Sequence, residues 1–221
     1  MTPPPTRFAD IAPEAFAGVL IDLDDTLYHY APCHAQGLAA AHAADPLGLG
    51  IADFAARYRA ARDVVTLRLA GQGACRSRLF AFQAMAEALA LPQGFARALG
   101  LEAVYWQHFI AAMVPHPAAV GFLARCAAAG VPVCVVTDMT AAVQIRKLAR
   151  LGLGDAVAHL VTSEEVGAEK PDPRLFRSAL AKLGVAAERA VMLGDSPEKD
   201  VRGALACGIA AGLIDLAGEP A

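Results

Sequence analysis

Lysine is scarce in this 221-residue chain, and so are several other things whose absence closes off whole classes of function. Of 19 basic residues only Lys147, Lys170, Lys182 and Lys199 are lysine, and no Lys/Arg run occurs. The net charge is −3 and the pI about 6.1, so nucleic acid is not an expected partner. Long apolar runs are missing as well. The best stretch is interrupted by Arg125, Gly130 and Pro132, and no membrane-spanning segment is expected. Residues 1–7 lack the apolar core of an export signal and read as a disordered or extended tail. The five cysteines (Cys33, Cys75, Cys126, Cys134 and Cys207) are scattered and form no Cys-x-x-Cys pair. Free thiols in a reducing cytoplasm are expected, not disulfides or zinc.

What is present begins at Val19-Leu20-Ile21-Asp22-Leu23-Asp24-Asp25-Thr26-Leu27. A short β-branched run reads as a buried strand, and it ends abruptly in carboxylates. On an extended backbone Asp22 and Asp24 point to the same side. Two adjacent carboxylates are costly unless a positive charge joins them. A divalent cation with a phosphate ester is the usual tenant of such a site, and a solvated turn is the plainer alternative.

The C-terminal half alternates strand and helix. Residues 131–136, 159–161, 190–193 and 209–214 read as buried strands. Ile145, Leu148 and Leu151 mark a helix over 141–151, with Gly152 as its stop. Asp172-Pro173 and Ser196-Pro197 open two further helices, closed by Gly184 and Gly208. This alternation predicts an α/β fold, a parallel sheet with helices on both faces. About 100 residues between the first two strands carry helical patterns at 34–44, 51–70, 76–90 and 94–112, and a helix at 118–129 returns to the sheet. A crossover needs only about a dozen residues, so the surplus predicts an inserted helical domain. The expected division is 1–30 plus 115–221 for the sheet domain and 31–114 for the insertion.

Ligands in such sheets bind at the carboxyl ends of the strands. Four segments place polar groups there: Asp22 and Asp24; Thr137, followed by Asp138; Glu169-Lys170-Pro171; and Gly194-Asp195-Ser196, with Asp200 a turn later. Together, in this order and spacing, they resemble the four motifs of the haloacid dehalogenase (HAD) superfamily. The inserted helices resemble the cap of its phosphoglycolate phosphatase and β-phosphoglucomutase members. Residues 161–167 and 172–176 look closest to the nucleotidase and acylneuraminate-phosphatase branch.

The resemblance implies a Rossmann-like core under a helical-bundle cap, and a Mg²⁺-dependent phosphatase of small phosphorylated metabolites, nucleoside monophosphates or sugar phosphates. Asp22 would be the nucleophile, forming an aspartyl-phosphate. Asp24 would carry protons. Thr137, with Asp138 through its backbone N–H, would bind phosphate, and Lys170 would offset the charge. The Mg²⁺ would be held by Asp22, the Asp24 carbonyl and Asp195, with Asp200 direct or through water. Expected partners end with the substrate, in a cytoplasmic monomer or homodimer.

Other readings stay open at this level. A phosphoryl-transfer mutase shares the scaffold, although Asp25 and Thr26 resemble phosphatases more closely. A dehalogenase usually lacks the second Asp. A non-catalytic binding protein would have lost a motif residue, and none is lost. Asp25 reads as a turn former and Ser196 as an N-cap. His29 and His34 read as solvated or substrate-facing, and Arg68, Gln72, Arg76 and Arg78 as an exposed face or leaving-group contacts.

Overall fold

The computed structural model describes residues 5–219, so residues 1–4 of the tail expected over 1–7 lie outside the described residues. The chain divides into two compact units, Met1–Tyr30 with Val114–Ala221, and Ala31–Met113.

In the first unit β1 (Gly18–Ile21) is buried at every position, as a continuous apolar strand in the middle of a parallel sheet must be. The second unit follows with α1 (Tyr30–Ala44), α2 (Ile51–Arg68), α3 (Arg78–Ala88) and α4 (Gly94–Ala111). The chain then returns through α5 (Pro117–Ala128), β2 (Val133–Thr137), α6 (Ala141–Leu151), β3 (His159–Thr162), α7 (Ser163–Val166) and α8 (Pro173–Leu183). β4 (Ala190–Gly194), a π-helical turn (Pro197–Arg202), α9 (Gly203–Ala206) and β5 (Ala210–Leu213) complete it. The five strands are all parallel, in the order β3-β2-β1-β4-β5. From β1 the chain builds outward through β2 and β3, then crosses back to β4. Strand order reverses beside β1, which is where such sheets bind ligands.

Register aligns the strand ends. Ile21 pairs with Val135 and Leu193, Thr137 with Thr162, and Gly194 with Leu213. The sheet core is apolar, with Leu20, Cys134, Val136, Val161, Phe176 and Met192 all inaccessible to solvent. The described start of the chain is tied down. Thr6 N–H donates to the Leu213 carbonyl at 2.7 Å, and Phe8 is fully buried.

Three departures from the sequence expectation have local causes. Helix α1 begins at Tyr30, not 34, because Asp25 takes a left-handed conformation (φ 60°) and its carboxylate accepts the Tyr30 N–H at 2.8 Å. The helix expected after Ser196 opens as a π-turn, which turns Asp200 inward. In α6 only part of the buried face is the expected one. Ile145 is 57% exposed, whereas Gln144 and Lys147 are buried with Leu148 and Leu151.

In the second unit α3 packs against both α2 and α4. Its core is aromatic, with Phe54, Tyr58, Phe82, Tyr105, Trp106 and Phe109 buried. Gly37 lets α1 approach α4, since a Cβ there would lie 2.8 Å from the Tyr105 carbonyl oxygen. Among the described residues no helix is long and apolar enough to cross a membrane. None of the five cysteines forms a disulfide, and burial pushes the Cys126 thiol up to about 11 and Cys134 up to about 12.

Candidate active site

Groups from β1, β2 and the turn after β4 converge on Lys170, which lies in the segment after β3. Its ammonium lies 2.6 Å from Asp22 Oδ1, 2.6 Å from Asp200 Oδ1 and 3.0 Å from the Val136 carbonyl. Asp22 follows β1, and its N–H donates to Leu193 O of β4, which fixes the carboxylate at the β1–β4 seam. Asp200 reaches the cluster from the π-turn and also accepts the Ser196 N–H at 3.0 Å. Gly194 makes room for it, because a Cβ there would sit 2.4 Å from the Asp200 carboxyl carbon.

Asp195 completes the group: carboxylate oxygens of Asp22, Asp195 and Asp200 lie within 4.8 Å of one another. One ammonium does not balance three carboxylates. Burial pushes the Asp22 carboxyl well above its usual range; Lys170 opposes this, and Asp200 and Asp195 add to it. Asp195 is open to solvent on one side, yet desolvation on the other and repulsion from Asp200 raise it to about 6. Burial works against the charge of Lys170, but Asp200, Asp22 and Asp138 outweigh it and raise its pKa. Hard carboxylate oxygens, crowded and short of positive charge, are the donor set that suits Mg²⁺.

Asp24 stands apart from this cluster. Both of its carboxylate oxygens face the Lys147 ammonium, at 2.7 and 2.8 Å, and the Tyr28 hydroxyl donates to Oδ1. Thr137 ends β2, and its Oγ1 accepts a hydrogen bond from Gln144 Nε2 at 2.6 Å. That leaves the hydroxyl proton free to be donated elsewhere. The Asp138 carboxylate is occupied as a brace: it accepts the Lys170 N–H at 2.8 Å and the Lys199 ammonium at 2.6 Å. A cavity of about 390 Å³ opens beside Asp195, lined also by Asp25, His29 and Asp215. Ser196 caps the π-turn, with its Oγ accepting the Lys199 N–H at 3.2 Å.

Lys147 and Gln144, which contact Asp24 and Thr137, are not singled out by the sequence motifs. The available signal is their spacing: 144, 147, 148 and 151 form one i, i+3, i+4, i+7 stripe, half of it polar. In the second unit, His34 Nδ1 lies 2.7 Å from the Tyr105 hydroxyl, and Arg78 is buried over the Tyr105 and Trp106 rings. Arg78 is therefore a core residue, not part of an exposed charged face.

The family model described as haloacid dehalogenase-like hydrolase matches residues 16–208, spanning every motif above. This chain belongs to that family. Two relatives matched over most of their length narrow the chemistry. The ribulose-1,5-bisphosphate 5-phosphatase of Halopiger xanaduensis is 40% identical over 203 residues, 89% of this chain and 84% of that one. The phosphoglycolate phosphatase of Rhodospirillum rubrum is 33% identical over 198 residues, 86% and 76% of the two chains. A solved 2-haloacid dehalogenase from Pseudomonas syringae superposes with a TM-score of 0.72 at 26% identity, covering 89% of this chain and 85% of the other. This HAD-family chain is accordingly an enzyme, a hydrolase of phosphoric monoesters.

Proposed function

We propose that the enzyme is a Mg²⁺-dependent phosphatase of small phosphorylated metabolites, acting through an aspartyl-phosphate on Asp22. The observation that carries this is the division of the two motif carboxylates. Asp22 sits in the Lys170–Asp195–Asp200 cluster, while Asp24 is held separately by Lys147 and Tyr28.

An oxygen of Asp22 attacks phosphorus, and the bond from phosphorus to the ester oxygen breaks. Asp24, once one of its oxygens has turned from the Lys147 ammonium and taken up a proton, gives that proton to the leaving oxygen. Water then attacks the acyl phosphate, Asp24 takes the proton of that water, and inorganic phosphate leaves Asp22. Lys170 offsets the charge on Asp22 and on the phosphoryl oxygens. Thr137 donates its free hydroxyl proton to a phosphoryl oxygen, with the N–H of Asp138 beside it. Asp22, Asp195 and the Asp24 carbonyl would hold the Mg²⁺, with Asp200 direct or through water, and the ion would neutralise charge that the carboxylates and the substrate otherwise share.

Both of these relatives are named for phosphate esters of small polyhydroxy or carboxylic compounds. Sugar phosphates and phosphorylated small acids therefore rank ahead of nucleoside monophosphates as substrates. Phosphate release should be measured with Mg²⁺ from ribulose 1,5-bisphosphate, 2-phosphoglycolate, hexose phosphates and nucleoside monophosphates. Turnover that is lost with chelator and lost in Asp22→Asn is the expected result. Release undiminished in Asp22→Asn, or chloride release from a haloacid without metal, would sink the proposal.

A further inference from the structure

Lys147 takes no part in the chemistry above, yet it is 0% exposed in a chain with only four lysines. A buried ammonium is costly unless it is closely matched. Its Nζ contacts both oxygens of Asp24, and it lies 5.8 and 5.9 Å from the ring centroids of Tyr28 and Tyr30. Tyr28 donates its hydroxyl to the same carboxylate. Asp24 is thus gripped on both oxygens. Asp22, two residues earlier, has a different ammonium, from a different segment of the chain.

We propose that Lys147 is a positioning residue for Asp24. It holds that carboxylate in one fixed position, ionised and out of the Asp22–Asp195–Asp200 cluster, so that Asp24 enters each proton-carrying step from there when one oxygen turns from the ammonium, instead of becoming a further cation ligand. The proposal rests on the role of Asp24 given above. Tolerances for a proton carrier are a fraction of an ångström, and a rotamer locked by a buried partner is the standard means of meeting them.

The test compares the unmodified enzyme with Lys147→Met, Lys147→Arg and Tyr28→Phe on two esters, p-nitrophenyl phosphate and a simple alkyl phosphate. p-Nitrophenolate departs without a proton, whereas an alkoxide needs one. In Lys147→Met, kcat/KM for the alkyl ester should fall about 10²-fold, while that for p-nitrophenyl phosphate stays within about threefold. With p-nitrophenyl phosphate, kcat should nonetheless fall, because water attack still needs Asp24. KM should fall with it, and one equivalent of p-nitrophenolate should appear as a burst. Lys147→Arg should restore most of the alkyl-ester activity. Equal losses on both esters, or no loss on either, would overturn the proposal and leave the phosphatase assignment standing. Should Lys147→Met fail to fold by circular dichroism, Tyr28→Phe keeps the lysine and carries the same comparison. A loss of kcat/KM confined to the alkyl ester would then support the proposal, and an equal loss of kcat/KM on both esters or none on either would overturn it. Failure of the assignment itself would show in the unmodified enzyme, as no phosphate from either ester.

Discussion

A single ammonium decides how the candidate site stands without a cation. Lys170 is buried between Asp22 and Asp200, with contacts of 2.6 Å to each. Removing one partner of a buried ion pair leaves charge uncompensated, at a cost of about 3–5 kcal/mol. Lys170→Met should lose that much in urea unfolding at pH 7 without metal. The loss should be smaller at pH 5, where the crowded carboxylates relieve themselves by taking up protons. A variant as stable as the parent at pH 7 would mean that the carboxylates do not depend on Lys170. Residues of this kind are readable from sequence because chemistry restricts them. Asp22, Thr137, Lys170, Asp195 and Asp200 are unusual residue types at strand ends, and the strands themselves announce where they end. Lys147 and Gln144 escape because a polar residue inside a helix normally faces water. Their shared stripe with Leu148 and Leu151 is a hint, and the register of the helix against the sheet decides that these two face inward.

Helices show the same limit from another side. The buried stripe of α6 runs through Gln144, Lys147, Leu148 and Leu151, and the apolar residue Ile145 is left outside. The polar partners Thr137 and Asp24 outbid an isoleucine for the inner face, and apolar periodicity alone does not register this. The elements of the sheet are far more legible, since a run such as residues 133–136, buried on both faces, has few alternatives. Among the inserted helices, α1 supplies a prediction of its own. Burial, with Arg78, Arg62 and Arg59 nearby, lowers the pKa of His34 to about 4. The folded unit therefore prefers the neutral ring. Its stability should be complete above pH 6.5 and decline as pH falls from there toward 4. Allowing for solvent around a half-buried ring, the decline attributable to His34 is about 1–2 kcal/mol. His34→Gln should flatten this part of the melting-temperature profile between pH 7 and pH 5. An unchanged profile would show that other groups set the acid limb.

At the scale of the molecule, folding has brought three carboxylates from two distant parts of the chain, residues 22 and 195–200, to within 4.8 Å of one another. Folding works against that repulsion, so a cation that binds only the folded arrangement must return stability to the whole protein. At about 100 times its dissociation constant the return is roughly 2.7 kcal/mol. For a chain of this size that corresponds to about 5–10 °C in melting temperature. Mg²⁺ should produce such a rise, and chelator should reverse it. The parent should gain more at neutral pH than at pH 5, because the cation binds the ionised carboxylates and crowding raises the carboxyls of Asp22 and Asp195, so acid protonates them and competes with the ion. Asp195→Asn removes one ligand and one repulsive charge together. It should therefore melt at least as high as the parent without metal, yet gain little when Mg²⁺ is added. That crossed pattern separates a cation seated in this cluster from general ionic screening, which would raise both proteins alike. An equal rise in parent and variant would place the ion elsewhere and leave the three carboxylates with no reason to have been brought together.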